Sequence, residues 1–514
     1  MKNNKILKAA MIVTASFPFL ADNALSQSKP NIILIISDQH RGDAMHCMGN
    51  QYIQTPHLDE LAADGTLFMN GYSSTPSSTP ARAGLLTGLS PWHHGMLGYG
   101  RVGLKYKFEM PKMLRDTGYF TFGIGKMHWF PQKALHGFHG TLVDESGRVE
   151  SPDFISDYRL WFNMHAPGLN PDSTGIGWND HGAAIYKLSE ELHPTAWTGD
   201  MACQMIKNHK NGNGEPLFLK ISFARPHSPY DPPQRFADMY KGKDVQKPFI
   251  GEWCKDKDYS KPIDEKDAAS DAPYANFGLE YAENSRRHYY ANVTFIDEEI
   301  GKIIQALKEE GMYENSIICY VSDHGDMLGD HNHWRKTYPY EGSVHIPYIV
   351  KWPESYKFRK GGKNYSPVEL RDLLPTFLDV AGAEIPDGMD GESLLDLMNG
   401  NEGKWRKYID LEHATCYSND NYWCALTDGK IKYVWRFSTG EEELFDLTKD
   451  PGELVNVVTE KKYRKILSEL RNEMINHLSE RGDEFVKDGK LQILKRTVLY
   501  SPNFPDKKPV DTGI

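Results

Sequence analysis

Four short apolar runs, rich in branched residues, each break off abruptly in polar ones. Ile32 to Ile36 runs into Ser37-Asp38-Gln39, and Thr121 to Ile124 into Gly125-Lys126-Met127-His128. Leu217 to Phe223 runs into Ala224-Arg225-Pro226-His227, and Ile317 to Val321 into Ser322-Asp323-His324. This is the pattern of strands buried on both faces of a parallel sheet. Their polar ends would open together on one rim, where such sheets carry their sites. Helical periodicity lies between the runs, at His57 to Ala63, around Ala83, at Met110 to Asp116, at Trp197 to His209 and from Glu280 to Gly311. Strands alternating with helices in this way predict an α/β sandwich.

Two stretches lack either period. Residues 130–195, rich in Gly, Asp, His and Trp, and the charged insertion 240–275 read as loops able to wall a pocket. After about residue 400 the pattern changes to short strands at Tyr422 to Thr427 and Ile431 to Phe437. Turn-like Leu444 to Leu447 and Asp450 to Glu453 follow, then a helix over about 459–481. A large catalytic unit over 29–400 and a small α+β subdomain with an antiparallel sheet over 401–514 are expected.

Residues 1–28 read as an export signal: Lys2 and Lys5, an apolar stretch from Ala9 to Leu20 interrupted by Pro18, and small residues up to an expected cleavage near Ser26. No cysteine follows that stretch, so no lipid anchor is indicated, and a periplasmic or secreted location is expected. The net charge of −11 is spread along 514 residues, which leaves no basic face for nucleic acid and requires any attraction for an anion to be local. Six cysteines are too few for a disulfide scaffold in so long a chain. Cys416 and Cys424 are placed either to pair across a hairpin or to stay free.

The candidate chemistry gathers at the polar ends. Asp38 and Asp323 close two strands with near-identical endings, and neighbouring acids there would repel unless a cation lay between them. A hard divalent ion held by Asp38, Gln39, Asp323 and His324 answers this. Ser78-Thr79-Pro80-Ala81-Arg82 places a hydroxyl and a cation four residues apart, with Pro80 expected at the first helical position. It reads either as an ordinary helix cap or as an anion site, with Arg82 forking onto a sulfate or phosphate. Lys126 and His128, on one side of an extended segment, His227 in a proline-stiffened loop, and Lys336 a short loop beyond Asp323 complete the set.

Taken in order, these blocks resemble the type I, formylglycine-dependent sulfatases of the alkaline phosphatase superfamily, especially exported bacterial carbohydrate sulfatases. The family's [Cys or Ser]-x-Pro-x-Arg block, running on to Thr-Gly, appears at Ser78 to Gly88. Its Gly-Lys-x-His appears at Gly125 to His128, and its Pro-His-x-Pro-Tyr at Pro226 to Tyr230. Lys336 with Tyr340-Glu341-Gly342 matches another block, and Leu444 to Glu453 a C-terminal one. Gln39 departs from the Asp that many members carry, and His324 from their Asn.

The resemblance implies an alkaline-phosphatase-like sandwich with a large, mostly parallel mixed sheet, one Ca²⁺ also touching Ser78, and Ser78 converted to formylglycine (3-oxoalanine). It implies that Arg82 and the metal hold the attacking hydroxyl, that Lys126 and Lys336 bind sulfate, that His227 protonates the leaving alcohol and that His128 is the base for elimination. Serine at the modified position implies an oxygen-independent maturation enzyme as partner. Sugar sulfates are the expected substrates, cleaved from the chain end, with a 6-O-sulfated galactose or N-acetylhexosamine of glycosaminoglycan or mucin first among them. Arg101, Trp178, Asn179, Asp180, His181 and Trp334 are the candidates for binding the sugar; for 177–181 a packed loop is an equal reading. Aryl or choline sulfatases, a phosphonate or phosphate ester hydrolase, and a noncatalytic glycan-binding protein are the alternatives.

Overall fold

The computed structural model describes residues 29–210, 214–400, 403 and 405–506. The expected export segment lies outside them. Among the described residues no helix is long and apolar enough to cross a membrane.

Eight strands form the central sheet: β1 (Asn31–Asp38), β2 (Thr66–Tyr72), β3 (Phe120–Gly125), β4 (Gly140–Val143), β5 (Leu217–Pro226), β6 (Ser316–Ser322), β7 (Tyr348–Lys351) and β8 (Gly362–Glu369). Their order is β4-β3-β5-β1-β6-β7-β2-β8. Only β7 runs against its neighbours, β6 and β2, so the sheet is mixed but mostly parallel. The four strands expected from the apolar runs are the contiguous parallel centre, β3-β5-β1-β6.

The alternation of side chains along β1 explains its unbroken apolar run. Ile32, Leu34 and Ile36 pack into one layer with the helices Ser78–Thr87 and Leu373–Val380. Ile33 and Ile35 pack into the other, with the helices Pro56–Asp64, Pro194–Lys210 and Leu279–Glu309. Both faces are dry, so neither can be polar.

A second sheet, in the order β12-β11-β10-β9, is antiparallel and comprises β9 (Ile409–His413), β10 (Trp423–Thr427), β11 (Ile431–Arg436) and β12 (Glu442–Asp446). One face is covered by the helix Arg464–Ser479 through Leu467, Leu470, Met474 and Leu478. The other, through Leu411, Trp423 and Val434, packs on Tyr72 and Val344 of the main body. Leu444 to Asp446, read from sequence as a turn, belongs to strand β12, because Leu444 and Phe445 are buried in ladder with Tyr433 and Lys432. The 130–195 stretch likewise contains a helix, Asp157–His165, capped by Ser156.

Lys220 lies inside β5, about 4% exposed, with Nζ 4.8 Å from the centre of the Trp129 ring. Burial pushes this ammonium down from 10.5 to about 7. The unfolded chain therefore holds the proton across a window, from about pH 7 to 10.5, in which the fold has lost it. Stability contributed by this site rises with pH through that window, and its full cost falls below pH 7. Lys220→Met, similar in volume, should raise the unfolding free energy more at pH 6 than at pH 9, by a difference on the order of 2–3 kcal/mol. Denaturant melts at the two pH values check this; an equal change at both would show that the buried amine is not the source of the cost.

Candidate active site

The carboxyl ends of β3, β5, β1, β6 and β2 converge on one rim. Asp38 ends β1 and Asp323 follows β6, whose Ser322 pairs with Ser37. Asp38, Asp323 and His324 are all buried, with ligand atoms within 4.8 Å of one another. Asp38 Oδ1 is buried without a hydrogen-bond partner. Two buried carboxylates, an orphan oxygen and an imidazole fit a divalent cation.

Arg82 lies between the two acids. Its Nε donates to Asp323 Oδ2 (2.9 Å) and its Nη2 to Asp38 Oδ2 (3.1 Å), while Nη1 donates to the Lys126 carbonyl (2.6 Å) and Ser222 Oγ (3.0 Å). Nε and Nη2 thus serve the two acids, which in so buried a place need a counter-charge, and Nη1 ties Arg82 to β5 and the Lys126 segment. Lys126 Nζ adds a second cation 2.5 Å from Asp38 Oδ2. Burial alone would raise the Asp38 pKa, but Lys126, His227, Arg82 and His324 together hold it well below the usual carboxylate range.

Ser78 is the first residue of its helix, with Ser77 as the extended cap and Gly88, at φ 66°, closing the last turn. Pro80 is thus the third helical residue and not the first; its missing N–H is still one that a helix start leaves unpaired. Ser78 Oγ lies 3.0 Å from His324 Nε2 and donates to Asp38 Oδ2 at 3.4 Å. The hydroxyl therefore touches the cation-ready cluster.

Gly125, the last residue of β3, and His128 have positive φ (88° and 57°) on either side of Lys126 and Met127. Glu145 Oε1 accepts the N–H groups of Met127 and His128 and holds this segment. His128 Nε2 meets the Tyr99 hydroxyl at 3.3 Å. Lys336 Nζ donates to His227 Nε2 (2.8 Å) and Gln39 Oε1 (2.6 Å), while His227 Nδ1 lies 3.0 Å from the Ser228 carbonyl and donates to it. His227 thus carries its proton away from the site. Burial, with Lys336 and Lys126 close by, keeps this ring well below 6.5. Burial, then Lys126 and other cations, does the same to His128, and burial lowers Lys126 to about 8 and Lys336 to about 7. Gln39, expected at the metal, has its amide between Lys336 and Asp326, to which Nε2 donates at 2.5 Å.

Residues 30–383 match the family profile described as Sulfatase. The chain belongs to the sulfatase family. A second profile, described as N-sulphoglucosamine sulphohydrolase, C-terminal, matches residues 329–480 of this sulfatase. The enzyme is 37% identical to an arylsulfatase of Clostridium perfringens over 482 residues, covering 90% of this chain and 97% of that one. It is 27% identical over 559 residues to an N-acetylglucosamine-6-O-sulfatase of Bacteroides thetaiotaomicron, covering 99% and 93%. Its fold is similar to that of the phosphonate monoester hydrolase of Agrobacterium radiobacter, with a TM-score of 0.72, 25% identity, and coverage of 88% and 96%. It is a sulfuric ester hydrolase.

The sulfatase rim opens into a cavity of about 540 Å³ that reaches Ser78, His128 and Lys336. Arg101, Trp178 and Asn179 line it as expected. Asp180, His181 and Trp334 do not. Asp180 accepts the Gly177 N–H at 2.8 Å and the Ser270 hydroxyl at 2.8 Å, holding its own loop. His181 and Trp334 are fully buried, rings 4.6 Å apart, with Trp334 Nε1 donating to the Ala275 carbonyl. The 240–275 insertion borders that separate aromatic cluster, not the cavity. All six cysteines are free, and Cys416 lines the cavity.

Tyr99, Arg148, Arg335 and Tyr417 are wall residues that sequence reasoning missed. Supports from the C-terminal sheet were missed too. His413 Nε2 meets Ser77 Oγ at 2.8 Å, and Asn421 and Trp423 donate to Thr337 at 2.8 and 2.9 Å. The loops carrying Ser78 and Lys336 are thus braced from β9 and β10. The only sequence signal was the change of pattern after residue 400.

Proposed function

We propose that this sulfatase removes sulfate from a sulfated sugar, and that Ser78, as formylglycine, is its nucleophile. The observation that carries the reading is that Ser78 lies at the floor of one cavity beside Asp38, Asp323 and His324, with Lys126 and Lys336 close by. A cavity of about 540 Å³ takes a sugar residue rather than a bare anion. The N-acetylglucosamine-6-O-sulfatase relative supports the sugar class.

Asp38, Asp323 and His324 would hold a divalent ion such as Ca²⁺, which, when bound, polarises a sulfate oxygen and favours the deprotonated hydroxyl at residue 78. Oxidised by its maturation enzyme and hydrated, residue 78 offers one hydroxyl to take the sulfuryl group and a second whose collapse expels sulfate and restores the aldehyde. Arg82 bonds one oxygen of each acid and keeps both in place. Lys126 and Lys336 face the sulfate oxygens. Lys336 Nζ holds the proton that the leaving alcohol needs, with His227 Nε2 orienting it, so the acid is the pair and not His227 alone. Unprotonated His128 is placed to accept a proton during elimination.

Sulfate release from sulfated mono- and disaccharides, measured beside nitrophenyl sulfate, choline sulfate and a phosphonate monoester, tests the reading. Saccharides sulfated at carbon 6 are expected to show the highest kcat/KM. A higher value for the phosphonate or the aryl ester would overturn the sugar assignment.

A further inference from the structure

The wall above Ser78 carries more positive charge than one sulfate ester can use. Arg101, Arg148 and Arg335 each lie against an aromatic ring, 4.0 Å from the centre of Phe130, 5.3 Å from Trp178 and 4.5 Å from Tyr417. A guanidinium backed by a ring keeps its donors in the plane, free to fork onto an anion. Arg148 Nη1 and Arg335 Nε are buried and have no hydrogen-bond partner, while Arg335 Nη1 donates to the Asp271 carbonyl at 3.2 Å. Among the described residues no carboxylate pairs with any of the three. Glu150, the acid on this wall, accepts the Gln132 N–H at 2.6 Å. In a chain of net charge −11, such an unpaired group of cations is a local construction.

Two of the three are also fixed in place. Gly147, at φ 79°, stands where a Cβ would fall 2.6 Å from Trp178, and this approach lets Arg148 turn onto the indole. Gln132 Nε2 donates to the Arg148 carbonyl at 3.1 Å. Arg335, itself at φ 68°, donates its N–H to Asp326 Oδ1 at 3.1 Å, and its carbonyl accepts from Met327. Backbone strain held by such bonds is a mark of a positioned residue.

We infer that the leaving-group saccharide carries a second anionic group, a carboxylate or a further sulfate, bound by Arg148 and Arg335 while the scissile sulfate lies at Ser78. The inference rests on the sugar-sulfate reading above. A monosulfate ester brings a single negative charge, and Lys126 and Lys336 already face it at the floor. A neutral sugar would leave the buried Arg148 and Arg335 donors unpaired, and a cationic leaving group such as choline would be repelled.

The test compares two pairs of sulfated disaccharides, one differing only in whether the neighbouring uronate is free or methyl-esterified, the other in the presence of a second sulfate. The more anionic member is expected to have the higher kcat/KM by about 10-fold or more, mainly through KM, the scale of one charge-assisted hydrogen bond. The gap should shrink with added salt. In Arg148→Gln, and in Arg148→Gln with Arg335→Gln, the ratio should fall toward one. Equal kcat/KM within both pairs for the unaltered enzyme, or an unchanged ratio in Arg148→Gln, would overturn this inference and leave the sugar reading standing. Release from none of the saccharides, with nitrophenyl sulfate still hydrolysed, would instead remove the sugar reading.

Discussion

Ser78→Ala is expected to bring sulfate release down to background, a loss of about 10⁴-fold or more, the scale seen when a nucleophile is removed. The substitution deletes one oxygen from the first residue of a helix whose cap is Ser77, so melting should hardly move. What disappears is the atom 3.0 Å from His324 Nε2 and 3.4 Å from Asp38 Oδ2. Nothing else at the floor can substitute for it. Thr79 Oγ1 accepts the Gly100 N–H at 3.1 Å, and Ser77 Oγ is engaged by His413. Mass spectrometry of the matured enzyme should show the Ser78 peptide lighter by two hydrogens. Full activity with unmodified serine would refute the aldehyde mechanism.

Arg82→Met should be damaging in a different way. Asp38 and Asp323 are both buried, and Arg82 satisfies one oxygen of each. Without the guanidinium Asp38 keeps Lys126 as its cation, and Asp323 loses its side-chain cation. Removing one member of a buried charged cluster costs about 3–5 kcal/mol, and the rate should also fall by about 10²–10³. Arg82→Lys returns the charge but not the fork, so it should recover stability more than turnover. Denaturant melts with and without added Ca²⁺, beside rates of sulfate release, separate the two effects. A variant within about 1 kcal/mol of the parent would show that Arg82 is not what holds the acid pair in the fold.

The legible part of the fold was the part whose cause is local. Strands β3, β5, β1 and β6 appear in the sequence because both their faces must be apolar, and their ends because a parallel rim concentrates polar groups. β2, β4, β7 and β8 were not read. Asn70 and Gly71 interrupt the apolar pattern of β2, and β8 is half polar where its Gly362 to Ser366 meet solvent. β12 was taken for a turn because its five residues end in Asp446 and its apolar pair is short.

The site divides along the same line. Asp38, Ser78, Lys126, His128, His227, Asp323, His324 and Lys336 all come to one rim, and all but Lys336, which lies in a loop, are near a strand end or helix start that has its own sequence signature. The cavity walls have no such signature. Asp180, His181 and Trp334 carry the residue types that bind sugars, yet Trp334 packs on His181 and Phe277. Arg148 and Arg335 lie in loops with no period at all and became visible only when Trp178 and Tyr417 were seen behind them.

By itself the sequence determined the layered architecture, the acid pair and its cation-ready position, and the identity of the hydroxyl at residue 78, since each depends on periodicity or on neighbours a few residues apart. Tertiary structure alone decided which donors remain free. It engaged Arg82 with the acids, turned the His227 proton toward Ser228, set Gln39 against Lys336, and left Arg148 Nη1 and Arg335 Nε without partners beside the cavity. For Arg82 and Gln39 the deciding partners, Asp323 and Lys336, lie more than 200 residues away, and short-range sequence patterns carry no record of such distant contacts.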